Sequence, residues 1–562
     1  MSKLVLVKDS SMTINQFTAD IITTRNDLKD ILKEIFYGFY NGKCGNFLKN
    51  TTDYLLDEWL IKNMSPTITE VKKVIIYTYN KESNANALRI KLSYVLSDLN
   101  VKDDIITEIV VNKRKNVDVY SFIDKIINDL FKEKIDIFLD QTAIQFIGRF
   151  LMVFVGIDKK AWTGIQPQST ISNKFLIFYW LIRQEMIKIV PLIYKLNELD
   201  WIYIPEITRE GLIPSELQVL NLYESQLDKY LGRMYQVLNK YDYNNVNSDL
   251  WKAVYQKILP PEEILRLGFV RTPDEIVDSI LDLVGYNEDR EDLCKLTILD
   301  PACGSGTFLV NALNRLSKHL DNKQICHQYS NQPEWKIQET KLKMILNNLV
   351  GIDINPFATF LTTLNLTFIL IDPYSKISQK NPNFQLSFKI LTNDTLVPEI
   401  NTTSMKGFLN SRQTEAVENM KKFSELLKEE FDIVIGNPPW GTVLKGKIGP
   451  LGDDEKRDVY KKNFVSASGK YDIYVLFMER GIKLLKNDGI LGFITQINYI
   501  SQDYGEGIKK IIKRYGSIVY FINLRTLGKI LFPQWTNYPA ITIFKKGVKQ
   551  KEIVNIEVIK NV

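Results

Sequence analysis

Two stretches of the chain carry side chains whose types and spacing could do chemistry. In "FDIVIGNPPW" (431–440) an apolar run ends in Gly-Asn-Pro-Pro-Trp. Pro438 and Pro439 fix φ and donate no backbone N–H. The carbonyl of Pro438 and the side-chain carbonyl of Asn437 can therefore converge as two acceptors. Two acceptors suit an NH2 group: they orient it and draw its nitrogen toward sp3 character, which frees the lone pair. Trp440 offers a face on which a planar base or amide can stack. This is recognition of an amine on a flat group, and it needs neither a general base nor a nucleophile. A structural turn could share the composition, so the reading leans on the second stretch.

That stretch, "ILDPACGSGTFLVNALNRL" (298–316), reads as strand, glycine turn and helix. Asp300 ends the strand, Gly304 and Gly306 let a ligand approach the backbone closely, and a helix begins near Thr307 with its N–H groups facing the turn. It lacks the Lys of a phosphate loop and is not G-x-G-x-x-G. An acid at its mouth suits a cationic or hydroxyl-bearing ligand better than a triphosphate. Two glycines alone would also fit a plain βα turn. "VGIDINPFATFLTTLNL" (350–366) places Asp353 at the tip of a second strand, where α/β nucleotide folds bind ribose hydroxyls. Asn355 is expected to cap the next helix, with Pro356 at its first position. "ILTNDTLV" (390–397) offers a third acid, Asp394. Three acids at successive strand ends favour an adenosine moiety in a shared cleft. Asp300 and Asp353 are 53 residues apart in sequence, against roughly 20 in a compact unit, and the polar stretch 318–340 reads as an insertion. Upstream, "RTPDEIVDSILDLV" (271–284) reads as a Thr272-x-x-Glu275 capping box with Pro273 at the first helical position. Ile276, Ile280, Leu283 and Val284 would line its buried face.

The elements that must position these residues fall into two parts. Residues 1 to about 250 show apolar residues at three- and four-residue intervals, as in "NDLKDILKEIFYGFY" (26–40), and read as mostly helical. From about 270, the apolar runs 295–300, 348–353, 431–437 and 489–495 alternate with helical stretches, which predicts βαβ units and a parallel sheet. The boundary falls near Pro260-Pro261. The 562 residues carry a net charge of +6, a weak field for a polyanion partner. The excess is concentrated in 501–562, where eleven Lys/Arg stand against four acids. Four cysteines without a CxxC pair, and two histidines, build neither a disulfide framework nor a metal site. No signal peptide opens the sequence. The run "FLIFYWLI" (175–182) is too short to span a bilayer, so a cytoplasmic protein with no membrane partner is expected.

"DPACGSGTFL", "GIDINP" and "DIVIGNPPWG" together resemble the cofactor and catalytic motifs of amino-methylating DNA methyltransferases. They are most similar to the N6-adenine methylases of type I and type IIG restriction-modification systems, in the gamma order of motifs. "GFVRTP" (268–273) stands where that family has G-x-YTP and departs from it in Val-Arg. "YDIYVLFMERGIKLLKNDGILGFITQINYI" (471–500) resembles the family's following strand–helix block. "LFPQWTNYPAITIFKKG" (531–547) resembles its segment that supplies an aromatic to the extruded base. The Trp of Asn-Pro-Pro-Trp is less usual than Tyr or Phe.

The resemblance implies an α/β, Rossmann-like, S-adenosylmethionine-dependent methyltransferase domain over 256–547. A mostly helical domain over 1–255 would precede it and a C-terminal extension, 548–562, would follow. Asp353 would hold the cofactor's ribose, Asp394 its adenine amino group, and the Gly304–Gly306 turn its methionine part. Thr272, Asp300, Ala302, Phe308 and Ile354 would complete the cofactor site. Asn437, Pro438, Pro439 and Trp440 would hold the target adenine, with Phe532 or Trp535 against its other face. Double-stranded DNA is the implied partner, in a restriction-modification or related phage-defence system, and the base must be flipped out to be reached. Cys303 sits in the cofactor turn and not in a Pro-Cys dipeptide, which disfavours a covalent cytosine mechanism. Rival readings are an RNA or protein amino-methylase, a cofactor-binding subunit without activity of its own, and a fused restriction nuclease. For the last, Glu70-Val71-Lys72 is the only tempting signature, and it reads better as a helix cap. In the gamma order a target-recognition domain follows the last motif. Specificity is therefore expected from a separate specificity or restriction subunit, from residues beyond 562 or from the N-terminal helices.

Overall fold

The computed structural model describes residues 272–321, 332–396, 423–440, 454–531, 538–548 and 554–557, with scattered positions between 19 and 244. Most of the segment read as a helical N-terminal domain lies outside the described residues, as do Glu70-Val71-Lys72, residues 175–182, Phe532 and Trp535.

The described elements run α1 (Asp274–Leu283), β1 (Ile298–Asp300), α2 (Thr307–Asp321), α3 (Glu334–Asn348), β2 (Leu349–Asp353), α4 (Pro356–Ser378), β3 (Lys389–Thr392) and β4 (Phe431–Gly436). There follow α5 (Asp454–Asn463), α6 (Tyr474–Leu484), β5 (Leu485–Gln496), α7 (Glu506–Tyr515), β6 (Gly516–Asn523), β7 (Pro539–Lys546) and β8 (Val554–Glu557). The fold is α/β. One eight-stranded sheet has the order β3-β2-β1-β4-β5-β7-β6-β8. From β3 to β5 every pairing is parallel, with Leu299 level with Val350 of β2 and Val434 of β4. Strands buried on both faces must be near-continuously apolar, and Ile298, Leu299, Val350, Ile352, Ile433, Val434 and Ile435 are all buried. Strand order reverses between β1 and β4. A crevice therefore opens outside their carboxyl ends, where ligands bind in such sheets.

Successive residues of β5 show how the two layers form, because side chains alternate across a strand. Ile280 and Val284 of α1 lie over Gly492, whereas Leu491 and Phe493 join Leu476, Phe477, Ile508 and Ile511 of α6 and α7 in one core. The helices α2 and α4 share the α1 side: Leu309 packs on Gly351, and Thr362 on Gly306. In α7, Ile508 and Ile511 are buried while Lys510, Lys513 and Arg514 face solvent, so part of the C-terminal charge excess is a solvated helix face. Lys546 is spent internally, bonding to the carbonyl of Leu485. Gly148 of the upstream chain packs on Phe360 and Leu364 of α4, and Lys159 pairs with Asp372 at the far end of that helix. Among the described residues, the span Phe357–Ser378 within α4 is long and apolar enough to cross a membrane. Most of it is buried inside the protein, where it packs on α2, α3, β2 and β3.

Four expectations need correction. The sheet is not all parallel: β7 lies antiparallel between β5 and β6, because the chain leaves β6 at the carboxyl end and turns back without a crossover. The sheet also continues past 547, since β8 pairs with β6 in parallel. Thr272 and Glu275 form no capping box. The helix starts at Asp274, with Pro273 as its N-cap and no side-chain cap bond. The buried face of α1 is Val277, Ile280 and Leu281, closed by Val284, and not the Ile276–Leu283 face. The interval between Asp300 and Asp353 is filled by α2 and by the additional helix α3, which packs on α4.

Candidate active site

The glycine turn after β1 is built as its composition requires. Gly304 and Gly306 have φ of +55° and +85°, the left-handed region that costs other residues about 1–2 kcal/mol. A Cβ on Gly306 would stand 2.8 Å from Thr362 Cγ2, whereas one on Gly304 would meet nothing within 4 Å. Gly306 is thus required by packing, and Gly304 leaves open space at the mouth of the cleft.

Polar side chains brace this turn from two sides. Thr362 donates to the carbonyl of Gly304 at 2.8 Å and Asn365 to that of Ser305 at 2.9 Å. Both come from α4, one helical turn apart on one face. Asp353 reaches back from the tip of β2, its Oδ2 accepting from Gly304 N at 2.9 Å and its Oδ1 from Asn355 N at 2.8 Å. Asn355 in turn accepts from Phe357 N at 2.9 Å with Pro356 in the first turn, so this cap forms as its sequence predicts. The segment after β3 joins the same cluster. Asn393 N donates to the Asp353 carbonyl at 2.9 Å, and Thr395 donates to the Pro301 carbonyl at 2.7 Å. Asp394 accepts from Leu396 N at 3.0 Å and from Tyr460 of α5 at 3.4 Å. The three strand-end acids therefore do lie in one cluster.

Electrostatics separates them. Asp300 is 1% exposed and accepts from Ala302 N at 3.1 Å. Burial pushes its carboxyl up to about 8; the Ala302 N–H opposes this and nearby Asp353 adds to it. Asp353 is half-buried. Its crowded surroundings lift its carboxyl above the ordinary range against the pull of two N–H donors. Burial, reinforced by Asp353 and Asp300, also pushes the Cys303 thiol well up, which disfavours the thiolate there.

The Gly-Asn-Pro-Pro-Trp stretch begins directly beside Asp300. Gly436, the last residue of β4, has φ +153°, and a Cβ there would stand 2.7 Å from Asp300 Oδ1. Its absence lets β4 close on β1 and sets Asn437 at the crevice. The side-chain amide of Asn437 donates to Thr272 Oγ1 at 3.2 Å. Asn437 is half-buried, Pro438 buried and Pro439 exposed, while Trp440 is half-buried and packs against the α6–α7 core.

The structure thus brings Thr272, Asp300, Ala302, Gly304, Gly306, Asp353, Asp394 and Asn437 together through direct contacts or one intervening residue. Ile354 is half-buried immediately after Asp353. Phe308 is buried within α2, a packing position. Sequence reasoning missed Thr362, Asn365, Thr395 and Tyr460. The sequence offered little signal for the first two, which are polar residues three apart in a helix that also carries Thr359, Thr363 and Thr367.

Similarity to known proteins agrees with this arrangement. Residues 347–528, from the end of α3 through β6, match the family model described as Eco57I restriction-modification methylase. The type II restriction enzyme and methyltransferase RM.Eco57I of Escherichia coli is 25% identical over 355 residues, 56% of this chain and 34% of that protein. The type II methyltransferase M.BstVI of Geobacillus stearothermophilus is 28% identical over 287 residues, 51% and 43% of the two chains. The adenine-specific methyltransferase PglX of Streptomyces coelicolor is 24% identical over 307 residues, 51% and 22%. The chain spans less than half the length of each of these relatives. The Asn437-Pro438 stretch lies inside the matched segment and the glycine turn ahead of it, so over 347–528 the chain is similar to the Eco57I restriction-modification methylases.

Proposed function

We propose that the protein transfers a methyl group from S-adenosylmethionine to the N6 amino group of an adenine flipped out of DNA. The observation that carries this reading is the contact between Gly436 and Asp300. It sets the Asn437-Pro438 stretch beside an acid-tipped glycine turn, where strand order reverses between β1 and β4. The names of the relatives, two type II methyltransferases and an adenine-specific one, support DNA as the substrate and adenine as the base.

The residues fit the cofactor. Gly304 leaves open space against which the methionine part can lie, and Asp353 keeps lone pairs for ribose hydroxyls beyond its two N–H donors. Asp394 is placed at the next strand end for an exocyclic amine. When bound, the cofactor supplies an electrophilic methyl on a sulfonium. The chain's own work is to position the acceptor nitrogen. Asn437 Oδ1 and the Pro438 carbonyl would accept its two N–H bonds, holding its lone pair toward the methyl, while Trp440 backs the ring. In that arrangement the amine lone pair would take the methyl, and the electron pair of the methyl–sulfur bond would remain with the departing cofactor. The surplus N6 proton passes to water. No group on the protein is alkylated, and positioning carries the rate. Extruding the base costs a few kcal/mol, offset by stacking and phosphate contacts.

The test is incubation of the full chain with methyl-labelled S-adenosylmethionine and unmodified DNA, followed by nucleoside analysis. Label in N6-methyladenine is expected. Label in N4-methylcytosine, or only in RNA or protein, would replace the substrate assigned here. A second activity is worth the same assay, because RM.Eco57I is named as both restriction enzyme and methyltransferase. Cleavage of unmodified DNA with magnesium would show that the protein also restricts. A separate specificity subunit would be shown by sequence-specific methylation that appears only when that subunit is added.

A further inference from the structure

Thr272 is at odds with its sequence context. It stands two residues ahead of α1, in a Thr-Pro-Asp-Glu string that reads as a helix cap, yet it caps nothing. It is only 4% exposed. Among the described residues its hydroxyl accepts from the side-chain amide of Asn437, across 165 residues of sequence.

We propose that Thr272 is a positioning residue for Asn437: by accepting its amide N–H, it leaves Oδ1 turned to the substrate amine. This inference rests on the methyl-transfer reading above and deepens it. The argument is one of donors and acceptors. A carboxamide has a donor end and an acceptor end of nearly the same shape. If Asn437 turned its NH2 to the cleft, it would face the substrate amine donor to donor. Gly436 and Pro438 fix the backbone on either side of Asn437 but leave its side-chain torsions free. Something else must hold the amide, and among the described contacts Thr272 does so. Nothing in this role requires Thr272 to touch the cofactor.

The placement has a local cause. Pro273 takes the N-cap position, and its carbonyl accepts from Ile276 N and Val277 N. Ile276 N and Val277 N are thus paired without the Thr272 hydroxyl, which bonds to Asn437 instead. Because α1 packs on β5 through Ile280 and Val284, the hydroxyl is carried on an element fixed to the sheet that holds Asn437.

The test uses the full chain in three forms: wild type, Thr272→Val and Thr272→Ser. Initial methyl transfer is measured on unmodified plasmid DNA, and S-adenosylhomocysteine affinity by calorimetry. Thermal melting confirms folding. Thr272→Val is expected to lower kcat about tenfold, as for loss of one hydrogen bond of ~1.4 kcal/mol, with S-adenosylhomocysteine affinity unchanged. Thr272→Ser is expected to recover kcat to within about twofold. Unchanged kcat in Thr272→Val would overturn the proposal. So would a loss of S-adenosylhomocysteine affinity that accounts for the fall, which would make Thr272 a cofactor contact. A Ser variant as slow as Val would assign the role to the methyl group's packing and also overturn it. A wild-type chain that methylates no DNA would remove the function itself and the inference with it, an outcome visible before any variant is made.

Discussion

The two halves of the candidate site sit on adjacent strands but are built differently. After β1 the glycine turn is braced by Asp353, Thr362 and Asn365, with Thr395 tying in the segment after β3. After β4 the Asn437-Pro438 stretch is held by proline geometry, by the fit of Gly436 against Asp300, and by one side-chain bond to Thr272. The first half spends most of its polar groups on its own architecture and leaves a shaped gap at Gly304. In the second, the described side-chain bond of Asn437 uses its NH2 and not its Oδ1. A rigid cradle beside a sparsely tied acceptor pair is what a transfer reaction needs if one reactant is held before the other arrives.

The comparison can be tested at its strongest point by removing the acceptor. Asn437→Ala is expected to lower methyl transfer at least ~100-fold, the scale of deleting one preorganised polar group from an active site. S-adenosylhomocysteine affinity should stay within about twofold, because nothing in the cradle touches that side chain. A parallel loss of affinity in calorimetry would show that the halves are one unit.

The cradle itself is tested by a pair of glycines. Gly306→Ala must find room against Thr362 at 2.8 Å as well as adopt φ +85°, and is expected to cost about 3 kcal/mol of stability. Gly304→Ala meets no neighbour at φ +55° and should cost only about 1 kcal/mol, while weakening S-adenosylhomocysteine because its methyl enters the open space. Equal costs in urea titrations would mean that Thr362 does not brace the turn.

A further test concerns the acid where the halves meet. Asp300 holds its proton to about pH 8 in the folded protein, against 3.8 as an ordinary carboxyl. Between those values the unfolded chain loses that proton first, so this group's contribution to stability falls as pH rises. Relative to Asp300→Asn, the wild type should lose about 2 kcal/mol between pH 6 and pH 8. Denaturation curves for the two proteins that shift in parallel with pH would show Asp300 to be ionised in the fold.

Much of this arrangement was legible in the chain because it is local. The apolar runs ending in Asp300, Asp353 and Gly436 marked strands, and Gly304 and Gly306 marked the turn. Asn355-Pro356 marked a helix start that forms as read. Each of these follows from preferences of a few neighbouring residues. Thr272 shows where that logic fails. Its Thr-x-x-Glu spacing favours a cap, yet a bond to Asn437 replaces it, and no local rule can rank a partner 165 residues away. Thr362 and Asn365 were visible only as two of several polar residues on one helix. Their target appeared once α4 was laid beneath the turn.

By itself, then, the sequence determined the strand ends, the glycine turn, the pairing of Asn437 with prolines, and the resemblance to amino-methylating enzymes. Backbone sterics and hydrophobic periodicity act over a few residues and are written there directly. The tertiary structure alone decided that β7 lies antiparallel between β5 and β6, that Gly436 abuts Asp300, and that Thr272 serves Asn437 instead of its own helix. Those outcomes depend on which buried donors and acceptors meet when distant segments pack, and an unpaired buried polar group costs enough to overrule a local preference.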